Sequence, residues 1–256
     1  MRKLLAAALL ILVSVSVSWA ADIVVHGPAL HPAAGGGGDV QFETLSFNNV
    51  NDGNLVVDLP SGTVAGNILV VFCADEDNAG TYTWPSGFTA VTGTPVTSTA
   101  DAMKMGVAIK VATGSEPANY TIVDSTSGSI CIMVRVSGGN TTGVPHRSSV
   151  GNSNASNASP WSMTTASFSG GNTSAKSVIL LIAGSDVTST ADVVCTPPGG
   201  YTIPTNGDIR DGFRNLCFAY QNNVAAGATG ALTMTGTAAG ITSGWGAVAI
   251  ALEVAP

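Results

Sequence analysis

Charge is what this chain has least of. Asp, Glu, Lys and Arg make up 10% of its 256 residues, against about 25% in an average soluble domain. Beyond Arg2 and Lys3 the basic residues are Lys104, Lys110, Arg135, Arg147, Lys176, Arg210 and Arg214, scattered along the chain. Nucleic-acid binding needs clustered cations that displace counterions from phosphates, so this distribution excludes it. Scarcity of Lys, Glu and Arg also argues against long surface helices. Histidine occurs only at His26, His31 and His146, and no Gly-x-Ser-x-Gly elbow is present. A secreted hydrolase with a Ser–His–Asp triad would have to rest on His146 beside Pro145, so the expected protein is not an enzyme. No two of Cys73, Cys131, Cys195 and Cys217 have C-x-x-C spacing, and none has a histidine near it. A zinc site is therefore not expected.

Long apolar runs are missing as well. The longest at the start covers residues 4–13, follows Arg2 and Lys3, and leads to Ser18-Trp19-Ala20. A basic start, a short apolar stretch and small residues at −3 and −1 describe a secretory signal peptide over residues 1–20. The run is too short for a bilayer-spanning helix, which takes about 20 residues. The mature protein is thus expected to be secreted, extracellular or held at the cell surface, with no stable transmembrane anchor. Losing Arg2 and Lys3 leaves seven basic residues against 16 acidic ones, a net charge of −9. Residues 21–39, ending in Gly35-Gly36-Gly37-Gly38-Asp39, read as a flexible N-terminal segment. The folded body is expected over 40–256. In an exported chain four cysteines permit disulfides, with buried free thiols as the rival. If bridges form, Cys195–Cys217 is the expected pair, because both residues flank one turn-rich excursion.

What the chain has instead is 45% hydrophobic residues with abundant Gly, Ser, Thr and Asn. Short apolar runs alternate with turn-forming clusters, the pattern of strands. Strands are predicted over 43–48, 54–59, 67–73, 89–96, 104–112, 119–123 and 129–136. A second series falls at 162–168, 177–183, 200–204, 214–221, 230–235 and 246–254. The series share one plan: Ile68 aligns with Val178, Pro85 with Pro198, Ala108 with Ala219 and Ile130 with Val248. The spacing grows from 110 to 118 residues, as in a duplicated unit with turn insertions. The fold class is therefore all-β, a two-sheet antiparallel sandwich built from pseudo-repeats over about 54–137 and 161–256. Two arrangements fit: one sandwich whose halves contribute strands to each sheet, or two small domains in series. The first is preferred because pooling buries a larger fraction of surface. Residues 138–160, polar and rich in Ser and Asn, form the join.

Several stretches bring a resemblance. Asn54-Leu-Val-Val-Asp-Leu-Pro, Thr63-Val-Ala-Gly-Asn-Ile-Leu-Val-Val and Trp84-Pro-Ser-Gly-Phe-Thr carry it first. Lys110-Val-Ala-Thr-Gly-Ser-Glu-Pro-Ala-Asn-Tyr-Thr and Trp245-Gly-Ala-Val-Ala-Ile-Ala-Leu-Glu extend it. From about residue 54 to the end the chain resembles a loosely defined group of β-sandwich proteins from tailed-phage virions (tail fibres and accessory tail parts) and bacterial surfaces. The resemblance implies a jelly-roll-like sandwich with an adhesive or architectural role, and no catalytic residues. An export signal departs from the phage members, whose tail parts assemble in the cytoplasm.

Two clusters are candidates for binding. Asp75, Glu76 and Asp77 follow an apolar strand and form an acidic loop that could take calcium, a hard cation with six to eight oxygen ligands. The spacing is not that of an EF-hand, and a turn capped by solvated acids is the preferred reading; apart from calcium no cofactor is expected. Tyr82, Trp84 and Phe88 bracket Pro85-Ser86-Gly87, and Tyr201 follows Pro198-Gly199-Gly200. Such rings either stack on sugars at a sandwich rim or plug its open end, and recurrence in both halves favours plugs, Trp84 being the exception without a counterpart. Expected partners are further copies of the protein or a cell-surface or glycan receptor.

Overall fold

The computed structural model describes residues 39–50, 54–75, 81–98, 103–124, 128–142, 145–154, 161–168, 176–186, 194–211, 214–237 and 244–253. The expected signal peptide and most of the N-terminal segment lie outside these residues. Among the described residues there is no helix, and every strand pairing is antiparallel.

The first half carries β1 (Gln41–Val50), β2 (Leu55–Asp58), β3 (Ile68–Asp75), β4 (Tyr82–Thr83), β5 (Thr89–Ala90), β6 (Val96–Thr97), β7 (Lys104–Val111), β8 (Asn119–Asp124) and β9 (Ser129–Ser137). The second carries β10 (His146–Asn154), β11 (Trp161–Thr164), β12 (Ser177–Asp186), β13 (Val194–Thr196), β14 (Asp208–Asp211), β15 (Arg214–Val224), β16 (Thr233–Thr237) and β17 (Trp245–Leu252). In the first half a large sheet runs β1-β9-β3-β7-β5, with β6 also on β7, and a small sheet runs β2-β8-β4. The second repeats both, as β10-β17-β12-β15-β14 and β11-β16-β13. The first strand of each half lies beside its last, and the chain crosses between sheets at most connections. That is a jelly-roll arrangement, built twice.

The all-β antiparallel sandwich expected from the sequence is what the structure shows, but its strands are dealt into four sheets. No sheet mixes strands of the two halves. The last strand of each half inserts between its first and third strands, completing the sheets locally. Pooling occurs by stacking instead. Ile68, Val70 and Phe72 on β3 face Val178, Leu180 and Ile182 on β12 across a core shared by the two large sheets. Leu69, Val71 and Cys73 point the other way, to the first small sheet, with Leu55, Tyr120 and Ile122. Ile179, Leu181 and Ala183 do the same for the second small sheet, with Met163 and Met234. The molecule is thus four layers around three cores. β3 and β17 are buried at every position, which explains their continuous apolar sequences: both faces need apolar side chains. Alternation survives on outer strands such as β8, exposed and buried by turns.

The large sheets also meet at their edges. Phe42 of β1 stacks on Tyr220 of β15 with centroids 4.2 Å apart, and its N–H donates to Asn222 Oδ1 at 3.0 Å. At the opposite edge the Ser149 and Ser153 hydroxyls of β10 donate to the carbonyls of Thr92 and Thr97, at 2.7 and 2.6 Å.

The strand predictions need five corrections. Residues 138–160 are more than a join, since 146–154 form the edge strand β10, paired with β17. An edge strand is held by its backbone, so a Ser- and Asn-rich sequence suffices. The stretch 89–96 is two short strands either side of a turn, and 200–204 keeps only a bridge between Thr202 and Tyr220. The short strands β4, β13 and β14 were not predicted. Finally, the closing strands align differently. Val248 pairs with Ile182, whose counterpart Phe72 pairs with Ile132. Ile132, not Ile130, therefore matches Val248. A two-residue slide keeps every side chain on its own face, so the apolar pattern alone cannot detect it.

The repeated turn aligns as expected. Phe88 N–H donates to the Pro85 carbonyl and Tyr201 N–H to that of Pro198, both at 3.1 Å. Gly87 and Gly200 both have φ of 85°, the left-handed value required at the third position of a type II turn.

Candidate functional site

The loop from Tyr82 to Pro95 leaves a pocket of about 270 Å³ in the first half. Tyr82, Trp84, Ala90, Thr94, Pro95 and Gly106 line it, with Thr81 at its rim. Tyr82 is delivered by β4 and Gly106 by β7. The two aromatic rings lie 5.1 Å apart at 35°. Gly106 is there because nothing larger fits: a Cβ on it would sit 2.5 Å from Tyr82 Cδ2 and 3.1 Å from Trp84 Cζ2. Pocket and ring placement therefore depend on one missing side chain.

Beneath the Tyr82 ring lies a buried ionic cluster. Lys104 Nζ donates to Asp75 Oδ2 at 3.0 Å and to Asp124 Oδ1 at 3.4 Å. All three side chains are at most 1% exposed. The Ser129 hydroxyl donates to the other oxygen of Asp124. Lys104 Nζ lies 4.4 Å from the centre of the Tyr82 ring, and the Tyr82 hydroxyl donates to the Lys104 carbonyl at 3.3 Å. Tyr82 itself is held well above the ordinary tyrosine pKa, chiefly by burial and then by the charges of Asp75 and Asp124, with Arg214 opposing. Strand register makes this cluster: Asp75 faces Lys104 on one side and Ser129 on the other.

The candidate residues from the sequence fare unequally. Tyr82 and Trp84 come together in the pocket. Phe88 turns away, meeting Tyr120 edge-on at 5.1 Å with Lys110 Nζ 5.8 Å from its ring. Tyr201 packs against the core of the second half. Its hydroxyl is buried with no hydrogen-bond partner among the described residues, and burial raises its pKa. These two rings act as plugs.

Asp75 is unsuited to calcium, because its carboxylate is buried against an ammonium; Glu76 and Asp77 lie outside the described residues. His26 and His31 lie outside them too. His146 stands half-buried at the start of β10, and burial lowers its pKa.

The structure pairs Cys195 with Cys217 and Cys73 with Cys131. Asp208 lies close to the first pair, accepting from Cys195 N–H at 3.4 Å. With both sulfurs in a disulfide, this trio offers no thiolate for a metal.

Lys104, Asp124, Ser129 and Gly106 were missed as site residues. The available signal was a lysine opening the otherwise apolar stretch 103–109, where a solvated cation has no place. Comparison with protein-family models, with curated proteins and with solved structures gives no match to this chain.

Proposed function

We propose that this is an exported, non-enzymatic structural or adhesive protein, of the kind the sequence resembles in phage tail parts and bacterial surface sandwiches. The observation that carries the reading is the four-layer build with a disulfide in each half. Disulfides persist in oxidising compartments outside the cytoplasm. The buried lysine and its two aspartates are engaged with one another, which leaves them no role in turning over a substrate. Exposed Asn119 and Thr121 on β8, Asn152 on β10 and Ser162 on β11 give a weakly charged surface suited to contact with copies of itself or with a receptor at a cell surface. Size-exclusion chromatography with light scattering on the exported protein tests the assembly arm. Concentration-dependent oligomers are expected, and a strict monomer at high concentration would overturn it.

The pocket favours a second reading, a carbohydrate-binding module. Paired rings beside Ala90 and Pro95 offer an apolar platform of the size of one sugar ring. A glycan array is the test: signal lost in Trp84→Ala but kept in Phe88→Ala supports it, and a blank array rejects it.

A further inference from the structure

We infer that Lys104 and Asp75 are joined by an intramolecular amide bond that the folded protein forms by itself. The inference is independent of the functional reading above.

Three features of the first half point to it. First, the reacting atoms are already in place. Lys104 Nζ lies 3.0 Å from Asp75 Oδ2, and the two residues face each other on β7 and β3. Holding amine and carboxyl at this distance makes the encounter unimolecular. Second, a proton carrier stands beside them. Asp124 Oδ1 is 3.4 Å from the same nitrogen, and Ser129 holds its other oxygen. A carboxylate within reach of the nucleophile's protons is what general acid–base catalysis needs. Third, water is excluded, since the three side chains are at most 1% exposed and Tyr82 covers the lysine nitrogen. Exclusion of water favours condensation over hydrolysis and makes the charged starting state costly.

The step balances without any co-reactant. Asp124 takes a proton from the Lys104 ammonium and passes it to the Asp75 carboxylate. The freed amine lone pair attacks Asp75 Cγ, forming the N–C bond. A second nitrogen proton moves through Asp124 to the departing oxygen, the Cγ–O bond breaks, and one water leaves. Asp124 ends as it began, and two buried charges have become a neutral amide.

The second half argues that the fold does not require these ions. Ser185, Asn215 and Trp245 occupy the places of Asp75, Lys104 and Ser129 in the register. There the Ser185 hydroxyl donates to Asn215 Oδ1 at 2.5 Å, a neutral pair in the place of the charged one. An amide at Asp75 would tie β3 to β7, where the Cys73–Cys131 disulfide ties β3 to β9 two residues away.

Mass spectrometry of the reduced full chain reads the bond directly. The wild type is expected to be lighter than its sequence by the mass of one water, and fragmentation is expected to yield a branched peptide linking residues 75 and 104. Lys104→Arg should restore the full mass. Asp75→Asn should still condense but lose ammonia in place of water. Asp124→Asn should leave the chain at full mass while circular dichroism still reports strand. A wild type at full sequence mass overturns the proposal, whatever the variants do. A branch at residue 124 overturns the assignment to Asp75, and undiminished condensation in Asp124→Asn overturns the proton-carrier role.

Discussion

The two halves share a topology and differ in how each is fastened. In the first, Cys73 and Cys131 face each other on β3 and β9; the same places in the second hold Ala183 and Ala247. In the second, Cys195 of the small sheet is bonded to Cys217 of the large one. The matching places in the first half hold Tyr82 and Gly106, a ring lying over a glycine. The first half therefore ties two strands of one sheet together, and the second ties one sheet to the other. At the matched register positions the contents differ too, Asp75 against Lys104 in one half and Ser185 against Asn215 in the other. One backbone plan thus tolerates quite different contents at a given site, provided each fills its space and satisfies its polar atoms. The pocket beside Tyr82 lies where the fastening is a ring and a glycine.

The comparison holds only if the halves share one fate through the common core. Phe72→Ala empties that core at a fully buried site packed 6.0 Å from Phe218 of the other half. It should cost about 3–5 kcal/mol and lower a single calorimetric transition; two separate transitions would break the idea of one cooperative unit.

Next come the fastenings. Replacing Cys73 and Cys131 by alanine, as in the second half, opens a loop of 58 residues, while removing Cys195–Cys217 opens one of 22. On chain entropy alone these should cost about 4 and about 3 kcal/mol in denaturant unfolding. A larger loss for the shorter loop would mean that joining the two sheets matters more than loop length.

Gly106→Ala should cost about 1–3 kcal/mol through overpacking. It should also shift Trp84 fluorescence, because the Tyr82 ring must move. Unchanged emission would show that the pocket does not depend on that glycine.

The smallest effect concerns acid. Glu116 accepts from Lys110 Nζ at 2.6 Å and from Thr113 N–H at 2.7 Å. Burial pushes its carboxyl up, but these hydrogen bonds outweigh burial and leave its pKa lowered. A carboxyl with a lower pKa when folded stabilises above its unfolded pKa, and the contribution disappears as pH falls through the folded value. Glu116→Gln should therefore flatten the loss of stability with falling pH at its acidic end. Parallel curves for the two proteins would show that the pair contributes nothing.

Much of the architecture was legible in the residues. Apolar runs such as 68–74 and 178–183 announced buried strands, and the Pro-x-Gly-aromatic turn announced the repeat, because Gly87 and Gly200 meet a backbone demand that sequence displays. The candidate site was legible only in part. Tyr82 and Trp84 stood out as rare rings, whereas Asp124 looked like any acid at a strand end.

Strand content, the duplication and the turn chemistry follow from local preferences, and local preferences are written in consecutive residues. Which strands neighbour one another, the stacking of two jelly rolls into four layers, and the meeting of Lys104 with Asp75 and Asp124 were settled only in three dimensions. Each depends on register between segments far apart in the chain, and the period-two pattern of a strand is blind to a slide of two residues.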